Sequence, residues 1–176
     1  MRIIAFDQST VALGFAVMES HEQQVICSGV KRFPKLDNRN PLALEQRITD
    51  IKSAVNNIIT INNGEVFALE DVQYQQNVKV FKVLCELLGC ISVDWQEKNY
   101  LYTIIPPVTW HSSCKIKGRK RADVKKNTMA FVKTRFGIDV EEDAADAIGI
   151  AYHMATCLNT LNTANMTTVT VKATKI

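Results

Sequence analysis

Four acidic residues stand where a folded chain exposes carboxylates at the ends of regular elements. Asp7 closes the apolar run RIIAFD and precedes Gln8-Ser9-Thr10, residues that can turn a chain without hiding a side chain. Glu70 ends a second apolar run, VFALE, in the same way, and Asp143 and Asp146 lie three apart at the start of a helical pattern, so both project from one face. These stretches are far apart in sequence, yet the four acids can meet over one edge of a sheet. Carboxylates crowded together repel one another and hold raised pKa values unless cations are shared among them. Hard oxygen donors of this kind select magnesium or manganese over zinc. Each acid alone also has an ordinary explanation: Asp143 suits a helix N-terminus, Asp7 a turn, and Glu70 a strand-end charge for which Glu65 and Asp71 are equal candidates.

A second feature is charge. Residues 115–126 (KIKGRKRADVKK) carry seven Lys/Arg against the single Asp123, or +6, while the whole chain is only +3, so the remainder sums to −3. Positive charge concentrated in this way suits a polyphosphate, whose condensed counterions are released on binding. The plainer explanation is a solvated helix face with a lysine-rich turn.

The 176 residues form one domain, 1–160, followed by a Thr-rich stretch, 161–176, that reads as a tail, an edge strand or a dimer arm. With 47% hydrophobic and 22% charged residues the composition is globular. Five cysteines without a Cys-x-x-Cys pair argue against a disulfide framework or a zinc ribbon, and no apolar run approaches the ~20 residues of a membrane span, so a cytoplasmic location is expected.

The acids need a scaffold, and hydropathy patterning supplies one. RIIAFDQ, LGFAVME and residues 24–33 read as strands of an antiparallel meander, followed by a loop at Pro34, Asp37, Asn38, Asn40 and Pro41. Apolar residues at 44, 48, 51, 55 and 58 form one helical face ended by Asn62-Asn63-Gly64. The VFALE strand follows, then a helix with Val80, Leu84, Leu87, Ile91 and Trp95 inward, then LYTII stopped by Pro106 and Pro107. This alternation implies parallel strands joined by crossover helices. The basic segment leads into a helix broken near Gly137, and a last helix begins near Asp143 with Ala144, Ala147, Ile148, Ala151, Ala155 and Leu158 inward.

Taken in order, IIAFDQSTVALGFAV, FALEDV and EEDAADAIGIAYH resemble the acidic motifs of the RuvC family of Holliday junction resolvases, within the ribonuclease-H-like superfamily. The resemblance runs from the first strand to about residue 155, the D-A-A-D-A helix being its most specific part, and the length suits a stand-alone resolvase of the phage-encoded branch. It implies an α/β fold with a mixed five-stranded sheet flanked by helices. It makes Asp7, Glu70, Asp143 and Asp146 the metal-binding and catalytic positions, and the enzyme a magnesium-dependent endodeoxyribonuclease with two ions per site, for which manganese can substitute. Two such ions about 3.5 to 4 Å apart clamp an in-line displacement by water, leaving 5′-phosphate and 3′-hydroxyl ends.

The resemblance also implies that the basic cluster holds the DNA backbone, through Lys115, Lys117, Arg119, Lys120, Arg121 and Lys125, with Arg121 near the place of a functionally important lysine. Bacterial members carry a base-gripping aromatic three residues after the strand-end glutamate; here that residue is Gln73, and Tyr74 beside it can stack in its place or instead cap the core. The implied partners are a four-way junction and a second copy of the chain, since a near two-fold substrate calls for paired sites. The helix from Val78 to Trp95, with Phe81, Val83 and Leu88 around its circumference, is the interface candidate unless it is buried in the monomer. No membrane and no nucleotide cofactor are expected. His111 and Cys114 are too few ligands for zinc, and His153, two turns after Asp146, reads as a packing or surface residue with a minor chance of assisting at the metal site. Competing functions are a related nuclease acting on forks, flaps or RNA/DNA hybrids, an actin-like phosphotransferase for which the chain is too short, and a branched-DNA-binding protein without nuclease activity.

Overall fold

The computed structural model describes residues 1–36, 39–74 and 76–173, with backbone alone at 162 and from 164 onward. Five strands form one mixed sheet in the order β3-β2-β1-β4-β5. β1 (Arg2–Gln8), β2 (Ala12–Glu19) and β3 (Gln24–Arg32) are the antiparallel meander, while β4 (Val66–Glu70) and β5 (Leu101–Ile105) extend it in parallel from β1. The α/β architecture is therefore the one expected. At Asp37 and Asn38 the expected loop lies outside the described residues, as do residues 174–176.

Period-2 patterning divides each central strand between two cores. Ile4, Phe6, Leu13, Val17, Phe67 and Leu69 face α1 (Ala43–Asn62) and α2 (Val78–Glu97). Ile3, Ala5, Ala16, Met18 and Ala68 face α5 (Glu142–Ala173), whose Ala147, Ile148, Ala151 and Ala155 lie against them. α1 ends where Asn63 adopts a left-handed conformation, φ 50°, and its N–H caps the carbonyls of Ile59 and Thr60. α4 (Arg121–Phe136) ends in the same way at Gly137, φ 73°.

One expectation needs correction and two need extending. Pro106 and Pro107 do stop β5, but Pro107 also opens a short helix, α3 (Pro107–Ser113), where a residue without an N–H costs nothing in the first turn. Val80 belongs to the expected inward stripe of α2 but is 44% exposed, and burial on that helix begins only at Leu87. The five residues of β4 span about 17 Å and the 20 of α2 about 30 Å, so one end of the helix must overhang. Finally, residues 161–173 continue α5 as helix, and no sixth strand joins the sheet among the described residues. Extending an existing helix adds a hydrogen bond per residue without a new nucleus, which offsets the weak propensity of threonine. No helix among the described residues is long and apolar enough to cross a membrane.

Candidate active site

Asp7 and Glu70 continue inward-facing rows of their strands. Ile3 and Ala5 lead to Asp7, and Ala68 leads to Glu70, on the face covered by α5. β1 and β4 are adjacent and parallel, so both carboxylates emerge at the same end of the sheet. On the other side of β1, Asp7 pairs with Gly14 of β2, and here the helix comes down. A Cβ on Gly14 would lie 2.0 Å from the carbonyl oxygen of Asp143 and 3.1 Å from its Cβ. Only glycine allows the first turn of α5 to rest on that strand, and this contact delivers Asp143 beside Asp7. Asp146 follows one turn later, near Thr128, a fully buried residue of α4 whose hydroxyl draws the Asp146 carboxyl down against the larger effect of burial.

The four acids share one electrostatic environment. Burial, then the negative charges of Glu70, Asp146 and Asp143, holds the Asp7 carboxyl well above the usual range. Burial also raises Glu70, against the opposing pull of a Trp110 hydrogen bond, contact with Asp7 and the Arg121 charge. Asp146 is pushed up to about 7 by burial and Glu70, while Lys125 pulls it down. Among the described residues no three of these groups converge in metal-ligating geometry. Asp7 and Glu70 instead contact each other. Even so, four hard oxygen donors carrying uncompensated charge in a half-buried site are a donor set suited to a divalent cation such as magnesium.

Glu70, rather than Glu65 or Asp71, belongs to the cluster. Glu65 accepts a hydrogen bond from the Arg2 N–H at the opposite end of β1. The Asp71 carboxylate turns back to accept from the N–H of Val72, 2.8 Å away. Of the basic residues, Lys125 and Arg121 on α4 act electrostatically on the acids, and Lys125 also pairs with Glu142. Lys115, Lys117, Arg119 and Lys120 are exposed on the connection between α3 and α4. An open cavity of about 480 Å³ lined by Lys115, Lys117, Asn127, Phe131 and Arg135 includes none of the acids. Gln73 and Tyr74 are exposed just after β4, and the Tyr74 ring packs on Phe81 at 5.6 Å instead of entering the core. Among the described residues, His153 contacts Ser113 and Cys157 and no carboxylate.

Three supporting residues escaped the sequence reading. Trp110 of α3, 1% exposed, donates from Nε1 to Glu70 Oε1 at 2.8 Å, and the bare Cα of Gly149 makes room for its ring: a Cβ there would lie 2.6 Å from it. Gln8 donates from Nε2 to the Glu70 carbonyl at 2.7 Å, joining the ends of β1 and β4. Gly14 did have a sequence signal, since a glycine inside an apolar strand marks a close backbone approach. Trp110 had none.

The family model described as Crossover junction endodeoxyribonuclease RuvC matches residues 3–153. The chain belongs to the RuvC family. RuvC of Caldicellulosiruptor saccharolyticus is 26% identical over 157 residues, covering 86% of this chain and 90% of that protein. RuvC of Fusobacterium nucleatum is 25% identical over 155 residues, covering 85% and 77% respectively. Among solved structures, Thermus thermophilus RuvC in complex with a Holliday junction substrate has a TM-score of 0.68 at 16% identity, over 87% of this chain and 92% of that one. The fowlpox virus resolvase in complex with Holliday junction DNA gives 0.59 at 13% identity, over 90% and 99%. The fold is thus the ribonuclease-H-like one of RuvC and its relatives, and family membership makes the chain a crossover junction endodeoxyribonuclease.

Proposed function

We propose that this RuvC-family endonuclease resolves four-way DNA junctions at a site in which Asp7, Glu70, Asp143 and Asp146 hold two magnesium ions, with manganese as a working substitute. Bound there, the ions would supply an activated water and stabilise the leaving 3′ oxygen. The protein's own part is positioning. Asp7 lies between Glu70 on the adjacent strand and the two aspartates of α5, so it can serve both ions. Trp110 and Gln8 fix Glu70 through its carboxylate and its backbone. Lys125 and Arg121 flank the acids and draw the scissile phosphate towards them, while Lys115, Lys117, Arg119 and Lys120 follow the backbone further out. Tyr74, with Gln73 beside it, offers an exposed ring for an unpaired base at the junction centre.

Coordinated cutting of two strands needs two sites related by a two-fold axis, and the overhanging part of α2 suits an isologous contact. Val78 and Val80 are exposed there, Val93 is exposed further along the same helix, and nothing lies within 4 Å of where a Gly89 Cβ would be. We take residues 1–160 as the nuclease domain of each protomer.

The observation that carries this reading is the convergence of Asp7 and Glu70, at the same end of adjacent parallel strands, with the first turn of α5 that bears Asp143 and Asp146 and rests on Gly14 beside Asp7. Its test is cleavage of matched junction, fork, flap, duplex and RNA/DNA hybrid substrates in magnesium. The junction should be cut preferentially, with paired nicks and 5′-phosphate ends. Asp7→Asn and Asp146→Asn should each lose activity by on the order of 10²- to 10³-fold, the equivalent of several kcal/mol of charge stabilisation, while binding of the junction persists. Full cleavage by Asp7→Asn would reject the assignment.

A further inference from the structure

At the acid end of the sheet, positive charge is not confined to α4 and the connection before it. Residues 31–36 (KRFPKL) carry three basic side chains and no acid, and Lys31, Arg32 and Lys35 are all exposed. Arg32 ends β3 in register with Ala12 of β2, next to Leu13, which pairs with Gln8 of β1. The segment therefore leaves the sheet at the same end as Asp7. We propose that Lys31, Arg32 and Lys35 form a second phosphate-binding flank, which holds the backbone of the junction strand on the β3 side of Asp7, opposite to Glu70. The proposal rests on the junction reading above and assigns it a surface that the α4 cluster does not supply.

This flank stands on a fixed backbone. Arg47 of α1, 4% exposed, donates to the Thr10 carbonyl at 2.5 Å and to the Pro34 carbonyl, and its guanidinium lies 5.3 Å from the centre of the Phe33 ring. The Phe33 N–H donates to the Val11 carbonyl at 3.0 Å. A buried cation thus ties residues 33 and 34 to the β1–β2 turn that follows Asp7. Arg32 already holds an oxyanion: it pairs with Glu141, just before α5, as Lys125 of α4 pairs with Glu142. A carboxylate offers a guanidinium the same kind of acceptor pair as a phosphate. Because the Arg32–Glu141 pair is exposed, it is held weakly enough for a phosphate to replace the carboxylate. β3 lies two strands from β1, roughly 10 Å away at about 4.8 Å per strand. With a rise of about 3.4 Å per nucleotide, a strand whose scissile phosphate sits over Asp7 carries further phosphates within that distance.

The test is binding of a labelled four-way junction to the full chain, followed by fluorescence anisotropy across a salt series, with magnesium withheld so that no strand is cut. Arg32→Gln should weaken binding roughly threefold to tenfold and lower the salt slope by about 0.9, while Arg32→Lys should restore most of the slope. Lys31→Gln, Arg32→Gln and Lys35→Gln combined should lower the slope by about 2 to 3. Lys133→Gln removes the same charge from an exposed position near the far end of α4, beyond the screening length from the acids, and should change affinity by less than about twofold. Glu141→Gln, which frees Arg32, should tighten binding about twofold in the parent and leave the Arg32→Gln protein unchanged. Thermal melting should show every variant folded like the parent. Equal effects of Arg32→Gln and Lys133→Gln, or a tightening by Glu141→Gln that persists in the Arg32→Gln protein, would overturn the proposal alone. A parent that binds the junction no better than a duplex of equal length would instead reject the junction reading, and the proposal with it.

Discussion

On one face of the sheet the inward side chains are Phe6, Leu13, Val17, Phe67 and Leu69, packed against Ile51, Val55, Leu87, Ile91 and Trp95. On the other, nearest the acids, they are Ala5, Gly14, Ala16 and Ala68, against the alanines of α5. Large side chains keep α1 and α2 at a distance and bury much apolar area, with Trp95 in contact with the rings of Phe6, Phe67 and Tyr102. Small side chains bury less but let a helix come close. The first face therefore chiefly supplies stability, and the second sets the distance between the carboxylates of β1 and β4 and those of α5.

That division can be broken from either side. Gly14→Ala should have the largest effect on chemistry, because the new methyl would meet the Asp143 backbone at 2.0 Å and push the start of α5 away. Displacing a catalytic group by about 1 Å can cost on the order of 10² in rate, so kcat for junction cleavage should fall by about that much while most of the melting temperature is retained. Trp95→Ala should do the reverse, losing about 3 to 5 kcal/mol of stability in denaturant titration while the folded fraction cleaves at nearly the parent rate. If both variants lost stability and rate in the same proportion, the two faces would not have separate roles.

Trp110→Phe sharpens the comparison with a smaller change. It keeps an aromatic ring against Gly149 but removes the Nε1 donor from Glu70, and should weaken magnesium affinity roughly tenfold, measured as the metal dependence of cleavage, with kcat at saturating metal changed less.

The smallest expected effect is on stability against pH. Asp146 titrates near 7 in the folded chain, so between the ordinary aspartate range and pH 7 the folded state holds a proton that the unfolded state has lost. Its contribution is fully present below the unfolded pKa and is lost as pH rises towards 7. Metal-free protein should therefore lose melting temperature between pH 5 and 7, Asp146→Asn should flatten that slope, and magnesium should stabilise the parent more at pH 7 than at pH 5.

Much of this organisation was legible in the sequence because it is local. Apolar spacing marked α1, short apolar runs put Asp7 and Glu70 at strand ends, and the i, i+3 pair marked the start of α5. What escaped depends on contacts between distant segments. Seven residues of α3 give too little periodicity to detect, and the bond from Trp110 to Glu70 spans 40 residues. The exposure of Val80 depends on the length of β4 relative to α2. The left-out support for Glu70 is thus a matter of which helix end reaches which strand end, and no short window contains that information.

The most direct test is a crystal of the full chain soaked in manganese, with anomalous difference density calculated at the manganese absorption edge. Density should appear between Asp7, Glu70, Asp143 and Asp146, with the carboxylates turned from one another towards the ions. Crystals soaked at a concentration that supports cleavage but showing no density there, or ions bound only elsewhere, would contradict the account.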